Sequence, residues 1–512
     1  MIFLVLVLLL VTLLYYWYCA KNFDYWMKRG IKHDRPLPFF GNNLKVYLMK
    51  KSLTQITTDT YRKYPNERVV GLYRSNKPQL LIRDPEIVKR ILVTDFNHFC
   101  LRRLIPVDEV PEPLTRHLFN ADGDLWRLLR QRLTPAFTSG KLKAMFPLIV
   151  ERAERLHTRL QATAGAPIDA RDLMARFTTD FIGACVFGLD VDSLSDEDSE
   201  FRKVGVKIFQ IEFKDAAKFL LKRLFPTLFK NLKLTSRIEK HIIPLVRSIL
   251  SQRNYEPSGR NDFVDILLEC KKKGTIVGES MEKFKPDGTP EIASLEMTDE
   301  LMAAQMFVFF VAGFETSSST TSFTLHQLAY HPDIQKKCHD EIDRVLSKHD
   351  DKLSYNAIQE MHYLKWAFKE SMRLFPSVGF LIRECARNYK VTELDLTIEE
   401  GVKILIPVQA LQTDSKYFNN PEEFRPERFD PQAPDAINKF TYLPFGDGPR
   451  SCIGGRLGLM QSLAGLAAVL SNFTVEPAPI SLRQPVVEAK PIMIQTIKGG
   501  LPLLFRERKR TD

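Results

Sequence analysis

The chain has 512 residues, 44% hydrophobic and 26% charged, a balance that excludes a disordered or collagen-like chain and leaves enough material for a large core. Its seven cysteines are odd in number, scattered from Cys19 to Cys452 and without a C-x-x-C pair, which argues against a disulfide framework or zinc module and for a reducing compartment. The formal net charge of +11 suits an anionic membrane surface, an acidic partner or a merely solvated basic surface, and no nucleic-acid-binding motif accompanies it.

Length alone suggests about three domains, but no linker divides the chain. Ile2 to Ala20 is almost wholly apolar and ends in Tyr15-Tyr16-Trp17-Tyr18. Such a stretch just spans a bilayer, with its aromatic cluster at the interface. It is long for a signal-peptide core and lacks an obvious small-residue cleavage site. Positive residues follow it (Lys21, Lys28, Arg29, Lys32), so the bulk of the protein is expected on the cytosolic side. Pro36-Leu37-Pro38-Phe39-Phe40-Gly41 reads as a stiff, turn-forming linker.

Strand-like pieces at Arg68 to Tyr73 and Gln79 to Ile82 precede a helix opened by Asp84-Pro85. Residues 97–124 read as a long irregular loop, a kind of segment that often carries function. Trp126 and Arg130 lie four apart, on one helix face. Residues 141–270 are mostly helical by periodicity. Within them Phe209 to Phe229 alternates large apolar residues with lysines, as an amphipathic lid or a plain surface helix would. Gly274 to Ala293 is polar and reads as a flexible surface loop.

The next helix, capped by Thr298 or Asp299 and closed by Pro332, is apolar on nearly all sides from Leu301 to Val311 and should be buried. Its centre reads Ala312-Gly313-Phe314-Glu315-Thr316-Ser317. Ala312-Gly313 lets the backbone pass close to a flat ring. Thr316 can bond back to a carbonyl and open the helix ladder, leaving room for water. A kink with internally satisfied hydroxyls is the plainer explanation for this segment standing alone. Glu370 and Arg373 share a helix face in apolar surroundings, so that pair is expected to be buried and to need further partners; Arg428 of Phe424-Arg425-Pro426-Glu427-Arg428-Phe429 is at hand. Glu400-Gly401 reads as a turn before a strand at Val402 to Ile406, and Asn472 to Glu476 and Pro491 to Phe505 read as terminal strands.

Phe445-Gly446-Asp447-Gly448-Pro449-Arg450-Ser451-Cys452-Ile453-Gly454 sets one cysteine in a glycine-rich loop just before an apolar helix, Leu457 to Leu470. Glycines permit a tight loop and close approach to a flat ligand. A following helix N-terminus favours the thiolate, and loop amides aimed at sulfur tune its electron donation. Together these describe a thiolate ligand to haem iron. A buried structural cysteine is the bland alternative. A nucleotide loop is not, because Ser451 stands where G-x-G-x-x-G needs its third glycine.

This loop resembles the haem-binding motif of the cytochrome P450 monooxygenases, and the resemblance extends over essentially the whole chain. It is strongest to microsomal enzymes of the insect detoxification branch, a placement that Thr138 to Lys143 supports. The fold it implies is mainly α with a smaller β-rich part, behind an N-terminal transmembrane helix: residues 2–20 as anchor, 21–45 as a proline-rich hinge and 46–512 as the catalytic domain. Cys452 is implied as the ligand to the iron of haem b. Phe445, Gly454, Arg450, Trp126, Arg130, Arg383 and Arg102 are implied as further haem contacts, the arginines and Trp126 at the propionates. Thr316 and Glu315 would route protons to iron-bound dioxygen. Glu370, Arg373 and Arg428 would lock the core beneath the haem. Phe307, Val308, Val311, Ala312 and Val378, with loop 100–124, would line a pocket for lipophilic substrates.

The implied reaction inserts one atom of dioxygen into such a molecule, a plant toxin or insecticide above all. Endogenous lipids or hormones are the alternative. Electrons would come from a separate membrane-bound NADPH reductase, in some members with cytochrome b5, at the endoplasmic reticulum. Lys141, Lys143, Arg127, Arg132 and Lys439 are candidates for the basic docking patch. A haem-thiolate isomerase, which needs no reductase, and a non-enzymatic haem carrier or sensor are competing classes. The Glu315-Thr316 pair argues against both.

Overall fold

The computed structural model describes residues 2–105, 112–163, 165–196, 228–260, 262–434, 436–490 and 493–508, together with Lys218, Leu221 and Lys222. The chain forms two compact units, one made of Met1–Arg102, Lys369–Cys452 and Gln484–Gly499, the other of Arg103–Phe368, Ile453–Arg483 and Gly500–Asp512. Helix predominates and strands are the smaller part, as the sequence leads one to expect.

The first unit is built on a four-stranded sheet in the order Val69–Arg74, Lys77–Ile82, Lys403–Ile406, Leu381–Glu384. The first two strands form an antiparallel hairpin, the second pairs parallel with the third, and the last returns antiparallel. Gly401, at φ 82, makes the turn before the third strand. Val70, Leu80, Leu81, Ile82, Ile404 and Ile406 are wholly buried in its core. Trp26 is buried there too. Its indole Nε1 donates to the Leu72 carbonyl at 3.0 Å, and a side chain at Gly71 would strike the ring at 2.5 Å. Residues after the N-terminal helix are thus pinned to the sheet.

The helix His362–Leu374 carries the acid–base pair into the interior of this unit. Glu370 and Arg373 have no exposed surface, and Arg428 is nearly buried. Glu370 accepts from Arg373 Nε at 2.7 Å and Nη2 at 2.8 Å, from Arg428 Nε at 3.2 Å and from the Arg425 amide at 3.0 Å. The spare guanidinium donors reach carbonyls of Gln412, Glu423 and Asn420. The cluster therefore ties the helix to two distant loops: one carboxylate is shared by two guanidiniums, and backbone carbonyls take the remaining donors, so the buried charges are hydrogen-bonded as such a cluster requires.

The second unit centres on the helix Asp299–Ala329, about 46 Å long at 1.5 Å per residue. The Thr298 hydroxyl caps it by accepting from the Leu301 amide at 3.2 Å. Helices Ala170–Ile182, Ser236–Gln252 and Gly455–Leu470 pack around it. It is long and apolar enough to cross a membrane, but most of it is buried inside the unit, which makes it a core helix. A three-stranded sheet joins Phe473–Pro477, Pro502–Glu507 and Ile168–Asp169.

The long helix ends at Ala329, just before Pro332 as expected, and Pro332 also opens the next one, Pro332–Ser347, at its first position, where the missing N–H costs nothing. Several expectations need correction. The terminal strand begins at Pro502, well after Pro491. Gly274 to Ala293 is no loop but most of a hairpin, Ile276–Phe284 with Pro290–Leu295. The segment from Phe209 to Phe229 lies almost entirely outside the described residues, as does part of the 97–124 stretch. The N-terminal helix, Ile2–Ala20, leaves Phe3, Leu10 and Trp17 more than half exposed.

Glu370→Ala would strand Arg373 and Arg428 as buried charges. We expect it to cost about 3–5 kcal/mol of stability, read as a lowered urea midpoint, with Glu370→Gln costing less because the amide still accepts one bond.

Candidate active site

The cysteine loop belongs to the first unit. Its backbone folds on itself: the Gly446 amide donates to Leu443 O at 3.0 Å, the Ser451 amide to Gly448 O at 3.0 Å, and the Cys452 amide to Phe445 O at 2.9 Å. Gly446 and Gly448 adopt φ of 65 and 73. A Cβ on Gly448 would lie 1.8 Å from the Leu92 carbonyl oxygen, so no other residue fits there. The result is a loop that presents one thiol outward. Cys452 is exposed, whereas Cys19, Cys185, Cys270, Cys338 and Cys385 are buried and Cys100 is intermediate. Burial pushes the Cys185 and Cys270 thiols up, and the Cys385 thiol up to about 11, so these remain protonated.

Three arginines of the same unit belong to this loop or to the segments next to it. Arg450 is buried, and its Nε donates to the Cys100 carbonyl at 2.6 Å. Arg102 Nη2 donates to the Arg450 carbonyl at 3.1 Å. Arg383 is buried, with Nη1 on the Ile382 carbonyl at 2.8 Å. A bridge between Leu101 and Glu384 sets Arg102 beside Arg383's strand. The structure thus groups Arg102, Arg383 and Arg450 with Phe445 and Cys452. Val378 lies on the same unit, half-buried.

The second unit holds the other predicted residues. On the long helix, Phe307, Val308, Val311, Ala312 and Thr316 keep accessible surface, while Phe310, Phe314, Glu315 and Ser317 are buried. The spacing puts the accessible residues on one face, an apolar strip ending in a hydroxyl. Thr316 Oγ1 donates to the Ala312 carbonyl at 2.6 Å. The next two carbonyls also take side-chain donors: Gly313 O from Gln461 Nε2 at 3.2 Å, and Phe314 O from Thr178 Oγ1 at 3.2 Å. The helix stays continuous here; the loosening expected at Thr316 takes the form of shared carbonyls, not a break.

Gly313 turns out to have a different purpose from the one its sequence suggests. A Cβ there would meet Ile182 Cδ1 at 2.6 Å. It buys close packing against helix Ala170–Ile182, and Ala312 is the residue on the open face. Glu315 is buried and ion-paired with Arg171 of that same helix, which fixes the carboxylate's orientation. Trp126, buried, and Arg130, partly so, share a face of helix Gly123–Leu133. From the 100–124 stretch, the Leu118 amide donates to Gln305 Oε1 at 2.9 Å, and the His117 ring lies 6.4 Å from that of Phe307. Gly454 is the N-cap of helix Gly455–Leu470 at φ −88, a conformation open to any residue.

Sequence reading missed Gln461 and Arg171. A lone glutamine in an otherwise apolar helix was the available sign for the first; Gln461 is fully buried and also donates to Ser317 Oγ. Nothing local marked Arg171. Of the basic candidates, Arg127 is paired with Glu279 at 3.0 Å and Lys439 with Asp447 at 2.8 Å, so their charge is partly offset. Lys143 is exposed, and Lys141 and Arg132 partly so.

Residues 32–503 match the family model for cytochrome P450. The chain belongs to the cytochrome P450 family. It is 37% identical to cytochrome P450 6B6 of Helicoverpa armigera over 96% of each chain. It is 39% identical to cytochrome P450 6a2 of Drosophila melanogaster over 91% of each, and 38% identical to cytochrome P450 6j1 of Blattella germanica over 94% of each. These relatives place it in the insect branch that its sequence resembles. The family binds haem iron and comprises haem-thiolate monooxygenases.

The residues present fit such a group. Among the described residues no set of three or more His, Cys, Asp or Glu side chains could hold a metal unaided, so an iron at Cys452 must bring its own equatorial ligands, as a porphyrin does. The Cys452 thiol would supply a sulfur ligand to that iron, and Arg102, Arg383 and Arg450 the charge to meet its carboxylates.

Gly313→Ala is expected to lower stability by about 1–3 kcal/mol through overpacking on Ile182. Pairing it with Ile182→Val should recover part of that loss in urea melts, which a purely ligand-facing glycine would not do.

Proposed function

We propose that this cytochrome P450 is a reductase-dependent monooxygenase of lipophilic xenobiotics, tethered to the endoplasmic reticulum membrane by helix Ile2–Ala20. The observation that carries the reaction class is the single outward thiol of Cys452, held by a loop that only glycine at Gly448 allows. Haem bound there supplies the dioxygen-activating chemistry; the protein supplies binding, orientation and proton control.

Cys452 holds the iron as its thiolate, with the surrounding loop amides moderating the charge on sulfur. Arg102, Arg383 and Arg450 neutralise propionate charge, with Trp126 and Arg130 acting from helix Gly123–Leu133. Phe445 and Gly454 flank the ligand on either side in sequence. Thr316 Oγ1 passes protons by exchanging its bond to Ala312 O for one to water, and the shared carbonyls of residues 312–314 give that water acceptors. Glu315, oriented by Arg171, feeds that water chain. Phe307, Val308, Val311 and Ala312 form an apolar wall for substrate, with Val378 a further lining residue. Glu370, Arg373 and Arg428 are structural.

Electrons come from an NADPH-cytochrome P450 reductase, with cytochrome b5 as an optional second donor. Lys141 and Lys143 are the basic residues proposed to meet its acidic face, Lys143 being exposed and Lys141 partly so. The insect relatives support a xenobiotic role over an endogenous one.

The reading is tested by a panel of plant toxins, insecticides, fatty acids and hormones assayed with reductase and NADPH. Product formed without reductase would favour an isomerase instead. Cys452→Ala should abolish the red-shifted carbon monoxide difference spectrum and turnover. Thr316→Ala should keep that spectrum while product per NADPH falls about tenfold or more. Reversing the charge of Lys141 and Lys143 together should slow reductase-driven turnover and spare a peroxide-driven reaction; equal loss in both assays would count against the docking role.

A further inference from the structure

The hairpin Ile276–Phe284 with Pro290–Leu295 is the largest feature that the proposed function leaves unused. It grips helix Gly123–Leu133 within the second unit. A Cβ on Gly123 would lie 1.8 Å from Glu282 Oε1, and one on Gly278 would lie 2.9 Å from Leu128 Cδ2 and 3.4 Å from Gln131 Oε1. Arg127 pairs with Glu279 at 3.0 Å. The grip is centred on Asp124, whose two oxygens accept from Ser280 Oγ at 2.7 Å and the Met281 amide at 2.6 Å.

Ser280 is the hub. Its side chain is buried at a bulge where the strand register shifts. While its hydroxyl donates to Asp124, it accepts from the Glu282 amide at 3.0 Å and the Lys283 amide at 2.8 Å. The bulge therefore closes around the same oxygen that holds the helix. A first-turn aspartate ordinarily serves its own helix's amides; here both oxygens are turned to the hairpin.

The gripped residues are 123, 124, 127, 128 and 131, one face by helical spacing. Trp126 and Arg130 fall on the adjoining flank of the same helix, Arg130 almost in line with the gripped Gly123 two turns earlier, since 3.6 residues make a turn. A rigid helix held along one face fixes what its adjoining flank presents.

We propose that the hairpin is a brace for the haem-facing side of helix Gly123–Leu133, with Ser280 and Asp124 as positioning residues for Trp126 and Arg130. This rests on the reading of Arg130 as a haem-propionate contact. The brace touches no reacting atom; it acts by holding a guanidinium where a carboxylate of the haem can meet it.

The test is the rate of haem loss from the purified, haem-loaded enzyme to excess apomyoglobin, read by absorbance. Arg130→Ala should accelerate loss. Ser280→Ala should accelerate it on the order of tenfold, and the double variant should lose haem no faster than Arg130→Ala alone, because residues acting through one helix are not additive. The thiolate carbon monoxide spectrum should persist in Ser280→Ala. If Arg130→Ala is fast and Ser280→Ala unchanged, or if the two effects multiply, the brace is overturned while the haem reading stands. If Arg130→Ala loses haem at the parent rate, the Arg130 assignment falls and the brace with it. Should Ser280→Ala fail to accumulate, Asp124→Asn, which keeps volume but weakens the acceptor, carries the same comparison with the same criteria.

Discussion

A thiol that must stay reachable cannot be protected by burial, so its position has to be imposed by backbone alone. In this chain the imposition comes from two left-handed glycines and three amide-to-carbonyl bonds between residues 443 and 452. The loop contributes little apolar packing of its own. Its stability is borrowed from what lies around it in the first unit: the Leu92 carbonyl pressed against Gly448, the Arg450 side chain anchored on Cys100, and the Glu370 cluster that fixes the neighbouring loops. Each of these is a polar or steric constraint, and each stops being useful if it shifts by an ångström, since close-packed interiors have no slack to absorb it.

The long helix meets the opposite difficulty. It is buried, yet its C-terminal half is crowded with hydroxyls from Thr316 to Thr324. Nearly all of them bond back to a carbonyl three or four residues earlier, as Thr320 does to Thr316, Thr321 to Ser317 and Thr324 to Thr320. Burying a hydroxyl so satisfied costs little. The effect is a helix that carries polar groups through an apolar interior mostly on its own carbonyls, with Ser317 taking an outside donor from Gln461. At Gly313 and Phe314 donors arrive from neighbouring helices, as one does again at Leu328 from Gln335, and the first two lie where the accessible strip meets Thr316.

Much of this was legible in the sequence because the chemistry is local. Gly446, Gly448, Arg450 and Cys452 declare the loop by spacing, and Glu370 with Arg373 declares a buried pair by the apolar residues around it. What escaped were contacts made across distance. Gly313 reads as room for a ligand, but the neighbour that forbids a side chain is Ile182, more than a hundred residues away. The hairpin escaped for a different reason. Its buried positions include Ser280, whose burial is rewarded by a carboxylate rather than by apolar contact, so the alternation that marks a half-buried strand was absent. Arg127, read as free positive charge, is partly cancelled by Glu279 of that same hairpin.

Trp26 has a consequence for mechanics. Its indole is wedged into the space that Gly71 leaves and bonded to the Leu72 carbonyl. Only five residues separate it from Ala20, a leash of about 20 Å at full stretch. Wherever helix Ile2–Ala20 is seated, the sheet must follow closely and cannot swivel freely. A longer tether would let the sheet turn freely about that helix; this one commits it to a narrow range of headings.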